Sequence, residues 1–148
     1  MIYNISKKTK FLISVLIFLI SCENNSEPVN CLDVIINVAD QKGRYNDKVF
    51  TGTCNAFSVS GNLLEKRKFK KGVMSGEQIG YYESGATRYL GNKKKGEIHG
   101  SYIGYHENGN KQAEGRFKMG YYDGKWLFYD ENGKLTETKT YLRGKEIK

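Results

Sequence analysis

GSYIGYHENG at residues 100–109 and GKWLFYDENG at residues 124–133 align position by position, 24 residues apart, at both glycines, at Tyr105 and Tyr129, and in their common Glu-Asn-Gly ending. Working outward, the same spacing holds along two-thirds of the chain. One glycine series is Gly52, Gly76, Gly100 and Gly124; a second is Gly61, Gly85, Gly109 and Gly133; a third is Gly72, Gly96, Gly120 and Gly144. Phe57, Tyr81, Tyr105 and Tyr129 keep step with them. A period of this length marks an array of one repeated supersecondary unit.

The middle glycine of each unit follows Ser60, Ser84, Asn108 or Asn132 and is flanked by alternating segments. Asn-Gly between alternating runs is the strongest short hairpin signal, because both residues tolerate the positive φ of a type I′ turn. Each unit therefore reads as a hairpin. The first strands are expected near Thr53–Phe57, Glu77–Tyr81, Ser101–Tyr105 and Lys125–Tyr129. The second strands run from Leu63 to Phe69 and the equivalents, and the link to the next hairpin, Gly-Val-Met-Ser-Gly at residues 72–76, is expected to be longer and looser.

Pleat alternation puts Asn55, Ile79, Ile103 and Leu127 on the face of the aromatic series, and Cys54, Gln78, Tyr102 and Trp126 on the other. A single-layer sheet depends on cross-strand side-chain pairs and neighbour stacking. The recurring aromatic series is accordingly expected to be the core. Residues that vary between units, such as Tyr102, His106, Tyr122 and Trp126, are then the candidates for contact with a protein partner.

Residues 100–111 and 124–135 resemble the MORN repeat variant, and Phe50-Thr51-Gly52 resembles the way such arrays begin. The first two units depart from that pattern where Cys54 and Gln78 replace its Trp or Tyr. The resemblance implies a run of antiparallel hairpins, a fold found in envelope lipoproteins and in proteins labelled antitoxins. It carries no catalytic or binding residues over to this chain.

Ahead of the array, Cys31–Ala39 (CLDVIINVA) is rich in β-branched residues and reads as a strand that caps the sheet. Residues 23–30 are polar, include the single proline and have no apolar period, as a flexible spacer would. Lys7, Lys8 and Lys10, the apolar run 11–20, and Ser21-Cys22 follow the order of a secretory signal. The run is short of the roughly 20 residues a membrane span needs. Leu19-Ile20-Ser21-Cys22 resembles a bacterial lipobox, which makes Cys22 the expected acylation site, and two or more acyl chains give stable anchoring. Cys31 and Cys54, both in the exported part, can form a disulfide closing a long loop or remain two small buried thiols.

The expected organisation is thus all-β: an elongated antiparallel sheet of tandem β-hairpins. Residues 1–21 form a lipoprotein signal peptide, 22–30 a tether, 31–51 a capping region, and 52–148 four units (52–75, 76–99, 100–123 and 124–148). The expected address is the bacterial cell envelope, the outer membrane rather than the inner.

Without the signal's three lysines, the net charge of +8 falls to about +5. Lys70, Lys71, Lys94, Lys95, Lys118 and Arg143 recur near the end of every unit. Stacked in register they make a basic edge, which either attracts anionic headgroups or guards the sheet against aggregation. Glu83, Glu107 and Glu131 share one turn position, whereas an acid–base pair needs two differently tuned environments. His99 and His106 lack further convergent ligands for a metal. No phosphate loop, nucleophile elbow or Cys-x-x-Cys pair occurs. The reading is a non-enzymatic protein-binding or spacing module without metal or cofactor, partnered by a membrane through its lipid and by a protein, with neither nucleic acid nor a small-molecule substrate. An immunity-like neutralising protein and an array lying on an anionic membrane are the alternatives.

Overall fold

The computed structural model describes residues 29–148. The segment expected to be a signal peptide, Cys22 and most of the expected tether lie outside them. Fourteen strands follow in chain order. The first four are β1 (Val29–Asn30), β2 (Ile35–Ile36), β3 (Gly43–Tyr45) and β4 (Lys48–Val49). The hairpin strands are β5 (Gly52–Phe57), β6 (Leu63–Lys70), β7 (Val73–Tyr81), β8 (Thr87–Lys94), β9 (Glu97–Ile98), β10 (Gly100–Tyr105), β11 (Lys111–Lys118), β12 (Tyr121–Tyr129), β13 (Leu135–Leu142) and β14 (Lys145–Ile147). Strands β2, β3 and β4 form a small sheet of their own. The others form one eleven-stranded sheet in the order β1-β5-β6-β7-β8-β10-β11-β12-β13-β14, with β9 also against β8. All pairs in it are antiparallel except β1 with β5. The result is an elongated all-β domain, and at about 4.8 Å per strand the sheet runs to roughly 45 Å.

The two turn types are the reverse of the expected ones. At the middle glycines the N–H of Gly61, Gly85, Gly109 and Gly133 donates to the carbonyl three residues back, at 2.9–3.0 Å. Only the glycine of each pair has positive φ. This is a type I turn closed by a left-handed glycine, and the added residue leaves a bulge where the strands begin to pair. The link expected to be loose is instead a two-residue turn. Lys71-Gly72, Lys95-Gly96, Met119-Gly120 and Arg143-Gly144 have φ of 48–53° at the first residue and 77–87° at the glycine, the type I′ geometry.

These tight turns interlock along one side of the sheet. The N–H of Gly72 donates to the Phe50 carbonyl at 2.7 Å, and those of Gly96, Gly120 and Gly144 donate to Met74, Ile98 and Tyr122 at 2.9 Å. Each of the last three turns is thereby fastened to the strand that leaves the preceding turn. At the other side, Tyr82 Oη donates to the Tyr105 carbonyl at 2.7 Å, and His106 Nε2 lies 3.0 Å from the Tyr129 carbonyl. Ser84 Oγ donates to Glu107 at 2.5 Å, and Asn62 to Glu83 at 2.9 Å. Bonds bridging 21–23 residues of sequence hold successive hairpins in register.

The core lies on the face opposite to the expected one. Cys54, Gln78 and Trp126 are the largest side chains that are fully buried, whereas Phe57 is exposed and Tyr81, Tyr105 and Tyr129 are half-buried. Small residues explain the choice. A Cβ on Gly115 would come within 2.3 Å of the Trp126 ring, one on Gly80 within 2.1 Å of Tyr89, and one on Gly91 within 3.3 Å of Tyr102. Bare backbone at these points lets aromatic rings lie on the sheet, as happens when an aromatic side chain covers a strand glycine. Phe117, Tyr122 and Trp126 then pack together with centroids 4.4–5.0 Å apart, and Tyr102 joins Phe117 and Trp126 at 5.4–5.9 Å. Trp126 Nε1 donates to the Arg116 carbonyl at 3.1 Å, so the buried indole keeps a partner.

At the N-terminal end, Val34, Phe50, Cys54 and Phe69 make a second cluster. Cys31 and Cys54 are joined by a disulfide with Cα atoms 5.0 Å apart. Cys31–Ala39 is not one strand. The Asn30 side chain accepts from the Leu32 N–H at 3.0 Å and opens a 3₁₀ turn over Cys31–Asp33, while Asn37 accepts from Ala39 and Asp40 to make a second turn. Local side-chain bonds from Asn outweigh the β preference of the valines and isoleucines here. Val29–Asn30, expected in the spacer, pair with Cys54–Asn55 instead.

Candidate functional site

Six exposed apolar residues at the C-terminal end of the sheet set it apart from the rest of the array. The residues flanking the tight turns are Lys70 and Lys71, then Lys94 and Lys95, then Lys118 and Met119, then Leu142 and Arg143. The first and second turns thus carry only lysines, while the third and fourth mix cations with apolar side chains. Tyr121, two residues beyond Met119, matches Val73 and Glu97 at the preceding turns. Tyr121 is 60% exposed and Leu142 58%, and Met119, Tyr122, Leu135 and Ile147 are exposed as well. Lys118, Met119, Tyr121, Asp123, Leu142 and Arg143 line a groove of about 610 Å³. Isolated exposed apolar residues are ordinary, but a contiguous group rimmed by charge marks an interaction surface.

The turn geometry produces this presentation. The type I′ turns at Met119-Gly120 and Arg143-Gly144 leave Met119 and Arg143 exposed, and the Lys118↔Tyr121 and Leu142↔Lys145 pairs close directly behind them. His99 Nδ1 accepts from the Met119 N–H at 3.3 Å, and two periods earlier Thr51 Oγ1 accepts from the Lys71 N–H at 2.8 Å. His99 is therefore a turn brace.

Of the residues expected to contact a partner, only Tyr122 sits at this end with its side chain exposed. Trp126 is 1% exposed and is corrected to a core residue, because Gly115 offers it a bed in the sheet. Tyr102 is half-buried, its ring stacked on Tyr89 at 5.8 Å. Burial raises its phenol pKa. His106 is occupied in the bond to the next hairpin's Tyr129 carbonyl. The basic residues Lys70, Lys71, Lys94, Lys95, Lys118 and Arg143 are all exposed along the tight-turn side. Two units of strand spacing separate successive pairs by about 10 Å.

Titratable groups elsewhere serve structure. Tyr89 Oη donates to Glu65, and burial, then that carboxylate, push the Tyr89 pKa well above its ordinary value. Lys111 and then the Tyr129 hydroxyl hold the Glu114 carboxylate low. Asp40 is bonded to Arg44 at 2.6 and 2.9 Å, and that guanidinium lowers its pKa to about 2. Among the described residues, no group of three His, Cys, Asp or Glu side chains could hold a metal ion, and no helix is long and apolar enough to cross a membrane.

The MORN repeat variant model matches residues 98–119 and 122–142. The chain therefore contains a MORN-variant-like repeat region. No curated protein matches the chain. The two matched stretches end at Met119 and at Leu142, with Tyr121 in the short gap between them, so the apolar group lies at the ends of the segments that fit the repeat pattern. The sequence signal that would have found it is the break in the lysine series at Met119 and Leu142.

Proposed function

We propose that this chain is a lipid-tethered, non-catalytic envelope protein whose hairpin array, four units of 24 residues, holds a protein-binding surface away from the membrane. The observation that carries this reading is the exposed group Met119, Tyr121 and Leu142, which lines one groove at the C-terminal end of the sheet together with Lys118, Asp123 and Arg143. Aromatic and apolar anchors within a charged rim are what protein interfaces use. In this reading the signal peptide spans residues 1–21, Cys22 carries the acyl chains, and residues 23–28 join them to β1. The opposite end of the sheet, with exposed Leu32, Ile35, Ile36 and Val38, then faces the membrane. The array spaces the binding end from it by roughly 45 Å.

The test is a photocrosslinking amino acid at position 121 or 142, with position 88 on an exposed strand residue as control. A reproducible adduct from 121 and 142 and none from 88 supports the reading. No adduct at any position, or equal adducts at all three, contradicts it. The tether is tested separately by labelling with palmitate, which Cys22→Ala abolishes in this account.

A second reading has its own observation, the exposed cations of the tight-turn side. There the array lies along an anionic membrane, each near-surface charge contributing about 1 kcal/mol. Salt-sensitive binding of the unacylated chain to anionic vesicles supports it, and salt-independent binding opposes it.

A further inference from the structure

Along the buried face of the sheet, the register that holds Cys54, Tyr102 and Trp126 holds Gln78 in the second hairpin. The strand beside it departs at the same place, with Arg67 paired to Gln78 where Gly91 and Gly115 stand in the later hairpins. On one side of this point the face is packed by Val34, Phe50, Cys54 and Phe69, and on the other by Phe117, Tyr122 and Trp126. Between the two clusters lies a cavity of about 320 Å³. It is built by β6 to β10, which have β5 and β11 as neighbours on either side.

The cross-strand pair Gln78 and Gly91 lines the cavity, with Lys93 and the rings of Tyr89 and Tyr102, whose centroids are 5.8 Å apart. Gln78 is 2% exposed. Its Nε2 donates to the Glu77 carbonyl at 3.0 Å and to the Lys68 carbonyl at 3.4 Å, which fixes the orientation of the amide. Turned over, it would set oxygen against oxygen. Held this way round, Oε1 is buried without a hydrogen-bond partner, alone in this among the side chains of the described residues. An unmatched buried acceptor is a cost that an apolar side chain of the same size would avoid. A few placed polar groups among apolar walls are what small-ligand sites use, and this volume is at the lower end of their range.

The charge around the cavity decides the class of guest. Glu65, which also lines it, is matched by Arg67 at 2.6 Å and accepts from the Tyr89 hydroxyl. Lys93 gives one N–H to the Gly96 carbonyl at 3.2 Å and, among the described residues, pairs with no carboxylate. Arg88 lies 5.6 Å over the Tyr89 ring and is likewise unmatched. The surplus is positive, which opposes a cationic guest and favours an anionic one. Tyrosine rings carry negative faces that attract C–H groups, as the flat side of a sugar ring presents them. The geometry points to a binding site for one acidic sugar residue, a pyranose bearing a carboxylate. Its ring packs on Tyr89 and Tyr102, a hydroxyl donates to Gln78 Oε1, and the carboxylate accepts from Lys93. The site goes beyond the protein-binding reading and does not depend on it.

The probes are methyl glucuronide and its uncharged counterpart methyl glucoside, titrated into the purified full chain in detergent and followed by nuclear magnetic resonance. The glucuronide is expected to shift the Gln78 side-chain amide and the Tyr89 and Tyr102 ring signals together and to saturation. It should bind about tenfold more tightly than the glucoside, the effect of one charge-assisted hydrogen bond. Lys93→Met should bring the glucuronide down to the affinity of the glucoside. Gln78→Met, which keeps the length of the side chain, should weaken both sugars by about tenfold, the loss of one hydrogen bond. The site is overturned if neither sugar shifts these residues, if both bind alike and Lys93→Met changes neither, or if Gln78→Met binds as the unaltered chain does. Should Gln78→Met fail to fold, the half-buried Lys93 still decides the matter through Lys93→Met.

Discussion

Replacing Gly115 by alanine places a methyl group 2.3–2.6 Å from three atoms of the Trp126 ring. Real carbon atoms do not approach so closely, so the ring must lift. It has little room to do so, because Phe117 and Tyr122 hold it with centroids at 5.0 and 4.4 Å, and lifting strains the Nε1 bond to the Arg116 carbonyl. Overpacking of this kind costs about 1–3 kcal/mol. Alanine returns about 0.5–1 kcal/mol by narrowing the unfolded ensemble. The net expectation is a loss of about 1–2 kcal/mol. Trp126→Ala alone should cost about 3–5 kcal/mol. The informative comparison is the double variant. With the indole gone the new methyl has space, so Gly115→Ala should then stabilise by about 0.5–1 kcal/mol, a coupling of about 1.5–3 kcal/mol between the two positions. Urea unfolding followed by far-ultraviolet circular dichroism reads all four proteins, since Trp126 is the chain's only tryptophan and its fluorescence is lost in two of them. An equal cost of Gly115→Ala in both backgrounds would refute the claim that Gly115 is there to seat Trp126.

Three other outcomes follow from the same geometry. Met119 takes a left-handed φ of 48° at the first position of a type I′ turn, so Met119→Asn should stabilise by about 0.5–1 kcal/mol, whereas a lower urea midpoint would dispute the turn assignment. Cys31→Ser with Cys54→Ser opens a loop of 23-residue separation and should cost roughly 3 kcal/mol, seen as faster proteolysis between Val29 and Phe57 with the C-terminal hairpins spared. The Tyr89 phenol is held above its ordinary 10.0, so the folded chain keeps this proton where the unfolded chain loses it. The stability it contributes is whole below pH 10 and drains as pH rises further. Tyr89→Phe should flatten the decline in urea midpoint above that pH, and an unchanged slope would argue against the burial that causes the shift.

The hairpins were legible because a turn needing positive φ restricts the residue type sharply, and all twelve glycines of the three series do have positive φ. The kind of turn was not legible. Asn-Gly serves both a type I′ turn and the end of a type I turn with a bulge, while Lys-Gly and Met-Gly give no such local cue. The buried face was misread because both faces alternate equally well. Phe57, Tyr81, Tyr105 and Tyr129 look like a core by recurrence of type within the chain, yet Trp126 is buried and Tyr102 half-buried on the other face, because Gly115 and Gly91, on neighbouring strands, lie beneath them. A cross-strand pairing of that sort needs the register before it can be seen. The exposed group at Met119, Tyr121 and Leu142 was visible as a break in a lysine series, but its significance depends on the turns being tight enough to bring the three together.

If a protein covers the C-terminal end of the array where the chain does its work, hydroxyl-radical labelling will register the contact. Met119 and Tyr121 are exposed, and Phe57, exposed near the opposite end, serves as the reference. In the purified protein all three should be labelled. On intact cells Met119 and Tyr121 should be protected while Phe57 is labelled as before. Equal labelling of Met119 and Tyr121 in the purified and cellular samples would contradict the claim.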